Sequence, residues 1–253
     1  MPDKQPSKIR IDDLLVEKGL APSLAQARAL IMAGNVIAND QRIDQASTMI
    51  FSDAAVRVKK AGGKYVSRGG DKLAGALADL QLEKLIGDQV VLDVGAAAGG
   101  FTDCCLQLGA RKVIALDVGT NQLVWTLRND PRVVCLEKTD IREFKPEDYD
   151  AVDWIVADIS FNSLARLLPA LSAAATKATT HFLVLVKPQF ELTRSEIPKG
   201  GVIEEERLQE KALMLVSKAF EKIGLKVMQS VVSKVKGRSG NIEIFLYAQK
   251  NTS

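Results

Sequence analysis

Seven short apolar runs divide the last two thirds of the chain: Val90–Val94, Val113–Asp117, Val133–Leu136, Trp154–Ala157, Phe182–Val186, Leu225–Val232 and Ile242–Ala248. Their length and β-branched content predict strands. Helix-compatible stretches lie between most of them, and that alternation predicts a doubly wound, Rossmann-like α/β sheet. The first sixty residues read differently. Ile11, Leu14 and Leu15 share one helical face that ends at Gly19. Ser23 is the expected N-cap of a second helix carrying Ala27, Leu30 and Ile31, stopped by Gly34. Short strands are predicted at Val36–Ala38 and Ala54–Val58, with a turn at Asn39-Asp40. This is a small α+β unit over residues 1–60, joined through 61–67, with Ala61-Gly62-Gly63 as linker, to a larger unit over 68–253.

Charge adds a hint to that division. Residues 1–72 hold 12 Lys/Arg against 8 Asp/Glu, while the whole chain carries only +3. A basic N-terminal unit on a near-neutral body points toward nucleic acid, although an ordinary solvated surface explains the charge equally well. The polar N-terminus has no apolar signal core, and Phe182–Val186 is too short to span a bilayer, so the expectation is a cytoplasmic protein without a membrane role. Cys104, Cys105 and Cys135 form no disulfide framework or C-x-x-C pair. His181 is the single histidine, so no metal site is expected.

The most informative segment is Val91-Leu-Asp-Val-Gly-Ala-Ala-Ala-Gly-Gly-Phe-Thr-Asp103. A strand runs into Gly95, Gly99 and Gly100, and a helical stretch from Phe101 to Leu108 follows. Such a turn brings a ligand against bare backbone at a strand's carboxyl end. It is neither G-x-G-x-x-G nor a P-loop. Three acids fall at strand ends around it. Asp93 lies near the end of the first strand. Asp117 stands about twenty residues past the loop, where a carboxylate holds a ribose diol. Asp140 follows the third strand, in reach of an adenine amino group. An acid for the ribose without phosphate-binding machinery suits S-adenosylmethionine, with Asp93, Gly95, Gly99, Gly100, Phe101, Asp117 and Asp140 as its candidate contacts.

Two resemblances rest on these motifs. Arg10-Ile-Asp-Asp-Leu-Leu, Gly19-Leu-Ala-Pro-Ser23 and Ala27-Arg-Ala-Leu-Ile-Met-Ala-Gly34 resemble the S4-type (alpha-L) RNA-binding domain. That resemblance implies RNA contact along the start of the second helix, with Arg10, Ser23 and Arg28 as candidates. Leu24 stands where that family usually carries Arg, and Arg28 lies one helical turn onward. The loop Asp93–Asp103 resembles that of FtsJ-like ribose 2′-O-methyltransferases, and the chain from about Lys8 to Gln249 resembles their TlyA (hemolysin A-type) branch. Ala97-Ala98 departs from the Ser-Thr common among those relatives.

The resemblance implies a methyltransferase that uses S-adenosylmethionine on ribosomal RNA or ribosomal subunits, with cytidine ribose as target. It also implies a Lys-Asp-Lys-Glu catalytic set, which falls on Lys72, Asp158, Lys187 and Glu243, the last placed in the final strand. A 2′-hydroxyl is a weak nucleophile that must lose its proton as it attacks. A lysine can accept it only if its pKa falls from about 10.4, which a second cation and burial favour and a carboxylate opposes. In this reading Lys187 accepts the proton, Asp158 orients it, Lys72 adds positive charge, and Glu243 anchors Lys72 or the ribose. Lys187-Pro-Gln-Phe-Glu191 and Lys199-Gly-Gly-Val202 border the RNA entrance, and Lys234, Lys236 and Arg238 offer phosphate contacts. Two competing readings are a membrane-damaging protein, from the hemolysin label, and a ribosome-binding factor whose methyltransferase fold is inactive.

Overall fold

The structure, a computed structural model, describes residues 7–39, 41–58, 64–237 and 239–250. In the N-terminal unit β1 (Lys8–Arg10), α1 (Ile11–Glu17), α2 (Leu24–Met32), β2 (Val36–Ala38), β3 (Gln41–Ile43), β4 (Met49–Phe51) and β5 (Val56–Val58) follow in order. β1 pairs with β4, and β3-β2-β5 form a second antiparallel sheet. Ile11, Leu15, Ala27, Ile31 and Val36 are fully buried and form its core. Ser23 caps α2, its Oγ accepting from Gln26 N. Asp40, Lys59, Lys60 and the expected Ala61-Gly62-Gly63 linker lie outside the described residues.

Asp12 is fully buried in this unit, yet charged. Arg10 holds both of its oxygens and Arg28 Nε donates at 2.9 Å. Hydrogen bonding from Arg10 lowers its carboxyl to about 2. A depressed carboxyl stabilises the fold fully above its unfolded pKa and loses that contribution as pH falls through the folded value. Amide-exchange protection across residues 11–31 of the full chain is therefore expected to be higher in wild type than in Asp12→Asn at pH 6. The difference should close toward pH 2. Equal protection at pH 6 would remove the buried carboxylate from this account.

The larger unit runs α3 (Arg68–Asp79), β6 (Val90–Val94), α4 (Gly100–Gln107), β7 (Lys112–Asp117), α5 (Trp125–Arg128), β8 (Val133–Glu137), β9 (Trp154–Ala157), α6 (Leu164–Ala174), β10 (His181–Val186), α7 (Pro188–Glu191), α8 (Glu206–Lys222), β11 (Leu225–Val232) and β12 (Ile244–Lys250). The strands form one sheet in the order β11-β12-β10-β9-β6-β7-β8. The five from β10 to β8 are parallel, and β12 runs antiparallel to β10 and β11. One core packs each face of the sheet, which explains why β6 and β9 carry apolar residues on both faces, with Asp93 the single exception. The strand order reverses at β6, whose neighbours are β7 and β9, and the glycine loop leaves the sheet at that point. Ligands of open α/β sheets bind at such a switch point. Glu243 corrects one expectation: it precedes β12, which begins at Ile244, rather than lying within the last strand.

Residues 64–67 pack against the larger unit. Tyr65 is buried, Val66 N donates to Asp103 Oδ2 at 2.8 Å, and Gln107 Nε2 donates to Lys64 O.

Candidate active site

The glycine loop is shaped by what a side chain would strike. Gly95 (φ +83°) leaves 2.7 Å between a hypothetical Cβ and Asp158 O, and Gly99 has φ +95°. A Cβ on Gly100 would meet Gly70 N at 2.7 Å, so the N-termini of α4 and α3 touch through bare backbone. A cleft of about 1350 Å³ opens above, lined by Gly95–Ala98, Gly100, Phe101, Lys72, Asp158 and Lys236. The N-terminal unit contributes Gly34, Asn35 and Arg42 to its rim.

The three acids divide in role. Asp93 is fully buried beneath the loop, where Thr102 Oγ1 donates to its Oδ2 at 2.6 Å. Burial pushes its carboxyl up to about 7. Asp93 therefore braces the start of α4 from below and does not line the cleft. Asp117 accepts from Ala97 N at 2.8 Å and Gly119 N at 2.7 Å, tying the glycine loop to the end of β7. Asp140 stands apart: both oxygens are held by Arg142, whose side chain keeps the carboxyl at about 2. Glu137, which the sequence reading passed over, accepts from the backbone of Asn121, Gln122 and Leu123 and from Arg128. Its position as the last residue of β8 was the available signal, the same one that singled out Asp117.

Lys72, Asp158, Lys187 and Glu243 come together as two ion pairs. Lys72 Nζ lies 2.5 Å from Glu243 Oε2, with both side chains nearly buried. Lys187 Nζ lies 2.6 Å from Asp158 Oδ1 and donates to Ser160 Oγ at 2.6 Å. The Asp158 contact is ionic without the alignment of a hydrogen bond, which goes to Ser160. Lys72 and Asp158 line the same cleft. Charge is thus balanced pairwise, so Lys72 adds no uncompensated cation next to Lys187.

The basic candidates separate. Lys236 lines the cleft, and its carbonyl accepts from Arg68 Nη2. Lys234 is paired with Asp79 at 2.6 Å. Arg238 lies outside the described residues. Arg10 and Arg28 hold Asp12 while both remain substantially exposed. Arg42 is an addition: it packs so closely on Gly34 that a Cβ there would stand 2.0 Å from its Nη2. His181 begins β10 and stacks on Trp154, and Tyr247 is in ring contact with both; none of the three lines the cleft. Among the described residues no group of three or more His, Cys, Asp or Glu is placed to hold a metal ion.

The FtsJ-like methyltransferase family profile matches residues 65–250, and the S4 domain profile matches residues 9–50. The chain is 39% identical over 247 residues to a Mycobacterium tuberculosis protein named 16S/23S rRNA (cytidine-2′-O)-methyltransferase TlyA, covering 97% of this chain and 91% of that one. It is 36% identical to Hemolysin A of Brachyspira hyodysenteriae, over 93% of this chain and 97% of that one. A solved structure from Streptococcus thermophilus that carries a hemolysin name superposes with a TM-score of 0.74 at 38% identity, covering 99% of this chain and 90% of that one.

Proposed function

The chain belongs to the TlyA branch of the FtsJ-like methyltransferases, and from that membership and the site geometry we propose that it methylates the 2′-hydroxyl of cytidine ribose in ribosomal RNA, using S-adenosylmethionine. The observation that carries the reading is the Lys187–Asp158 pair at a cleft floored by the glycine loop.

The cleft suits the cofactor. A loop with Gly95 and Gly99 at left-handed φ, and nothing bulkier than Ala96–Ala98 between them, leaves room for an adenosine to lie against peptide groups. Its residues, Gly95 to Phe101, include no cation to select phosphates. Gly95–Ala98 and Asp117 would hold the cofactor, with Asp93 bracing the loop. Bound there, S-adenosylmethionine supplies an electrophilic methyl group.

The protein's own groups handle the nucleophile. Lys187 first gives a proton to solvent; its neutral amine then takes the 2′-hydroxyl proton as the oxygen attacks, and Asp158 Oδ1 balances the ammonium that is restored. Ser160 Oγ fixes the amine's direction. Glu243 anchors Lys72, which lines the cleft with the loop. Proton handling of this kind contributes roughly 10²–10⁴-fold. Arg42 and Lys236 at the cleft, with Arg10 and Arg28 on the N-terminal unit, contact RNA phosphates, and those contacts weaken as salt rises.

The membrane-damaging reading has the name of a relative behind it and no feature of the fold: among the described residues no helix is long and apolar enough to cross a membrane. The inactive-factor reading is disfavoured because both Lys–carboxylate pairs are intact. Incubation with ribosomal subunits and methyl-labelled cofactor tests the proposal. Label is expected at ribose 2′-oxygens. No transfer to any assembled or naked ribosomal RNA, despite cofactor binding, would favour the inactive factor.

A further inference from the structure

The segment 158–163 between β9 and α6 is irregular and exposed at Ser160, Phe161 and Asn162. Phe161 has φ +65°, a left-handed backbone that a side chain of this size resists. Such a conformation persists only where its surroundings impose it. One tether is already described: Lys187, just after β10, grips Asp158 and Ser160. The other lies at the far end of the same two segments.

α6 begins after Ser163, whose hydroxyl does not cap its own helix. Ser163 Oγ donates instead to Glu191 Oε2 at 2.7 Å, and Leu164 N donates to Glu191 Oε1 at 2.6 Å. A carboxylate from the end of α7 thus caps an 11-residue helix that starts 27 positions earlier in the chain. The charge suits the positive end of the helix dipole. Lys187 immediately precedes α7 and Asp158 immediately follows β9. The contacts therefore close a ring: Asp158 to Lys187 at one end, Glu191 to Ser163 and Leu164 at the other, with Phe161 and Phe190 in ring contact at 5.7 Å between them.

We propose that Glu191 is a positioning residue for methyl transfer. By capping α6 from α7 it fixes the spacing of the segments that carry Asp158 and Lys187. This rests on the assignment of Lys187 and Asp158 to the reacting site. Glu191 touches neither, so its effect is on geometry. A displacement of about 1 Å in a reacting group can cost on the order of 10²-fold in rate.

The test is single-turnover methyl transfer to ribosomal subunits by the full chain, with cofactor affinity from calorimetry and Tm from thermal unfolding. Glu191→Ala is expected to slow transfer about 10- to 100-fold while cofactor affinity is unchanged. Glu191→Gln should restore most of the rate, since its carbonyl still accepts from Leu164 N and its amide can donate to Ser163 Oγ. Leu171→Ala, in the buried face of α6, should lower Tm without slowing transfer by the folded protein. A wild-type rate in Glu191→Ala overturns the proposal, as does equal slowing by Leu171→Ala at matched loss of Tm. If Glu191→Ala does not fold, Ser163→Ala reads the same contact: slowed transfer supports the proposal and a wild-type rate overturns it. Failure of the wild-type protein to methylate any ribosomal substrate would instead remove the methyltransferase reading beneath it.

Discussion

Lys187→Ala is expected to slow methyl transfer by about 10²–10⁴-fold while leaving cofactor affinity unchanged. Lys187 Nζ is nearly buried, and its polar partners are Asp158 Oδ1 and Ser160 Oγ. It leaves β10, one strand beyond β9, whereas the glycine loop leaves β6 on the other side of β9. Removing the amine deletes the group proposed to take the hydroxyl proton and leaves the glycine loop intact. Single-turnover rates paired with calorimetry separate the two effects. A wild-type rate would remove Lys187 from the chemistry, and lost cofactor affinity would place its role in binding.

The second large effect concerns Lys72 and Glu243, joined across 171 positions of chain. Both side chains are nearly excluded from water. Removing one partner strands a buried charge, which typically costs about 3–5 kcal/mol. Replacing both by apolar residues of similar size is often neutral. Glu243→Ala is therefore expected to lose stability on that scale together with activity. Lys72→Met combined with Glu243→Leu should regain most of the stability and stay inactive. Thermal unfolding of the full chain and single-turnover transfer check the two halves separately. An unchanged Tm in Glu243→Ala would contradict a buried ion pair. Activity in the double variant would make the pair purely structural.

The strands most legible in the sequence are those buried on both faces. β6 and β9 match their apolar runs end to end because sheet neighbours and helices cover every residue. β1 and β3 escaped notice because each is three residues with a single apolar position, and β4 because Met49 and Phe51 face solvent rather than a core. Glu243 read as part of a strand because it sits among Ile242, Ile244 and Phe245. In the fold it turns in before the ladder begins and meets Lys72.

Pairing was the illegible part of the site. Sequence spacing placed carboxylates at strand ends but could not tell a ligand-facing acid from one that braces a loop. Asp93 faces Thr102 beneath the loop, and Asp140 is occupied by Arg142. The same limit hid Asp12, whose place in an S4-like motif gave no sign that it would bind Arg10 and Arg28 from within the core. Glu191 closes the Lys187–Glu191 motif, yet its capping of α6 depends on two loops meeting from neighbouring strands.

Mapping ribose methylation across ribosomal RNA tests the central claim most directly. Cells with the wild-type protein, without it, and with Lys187→Ala at equal abundance would be compared. The expected result is 2′-O-methylcytidine present with the wild-type protein alone. Identical maps in all three would contradict the account.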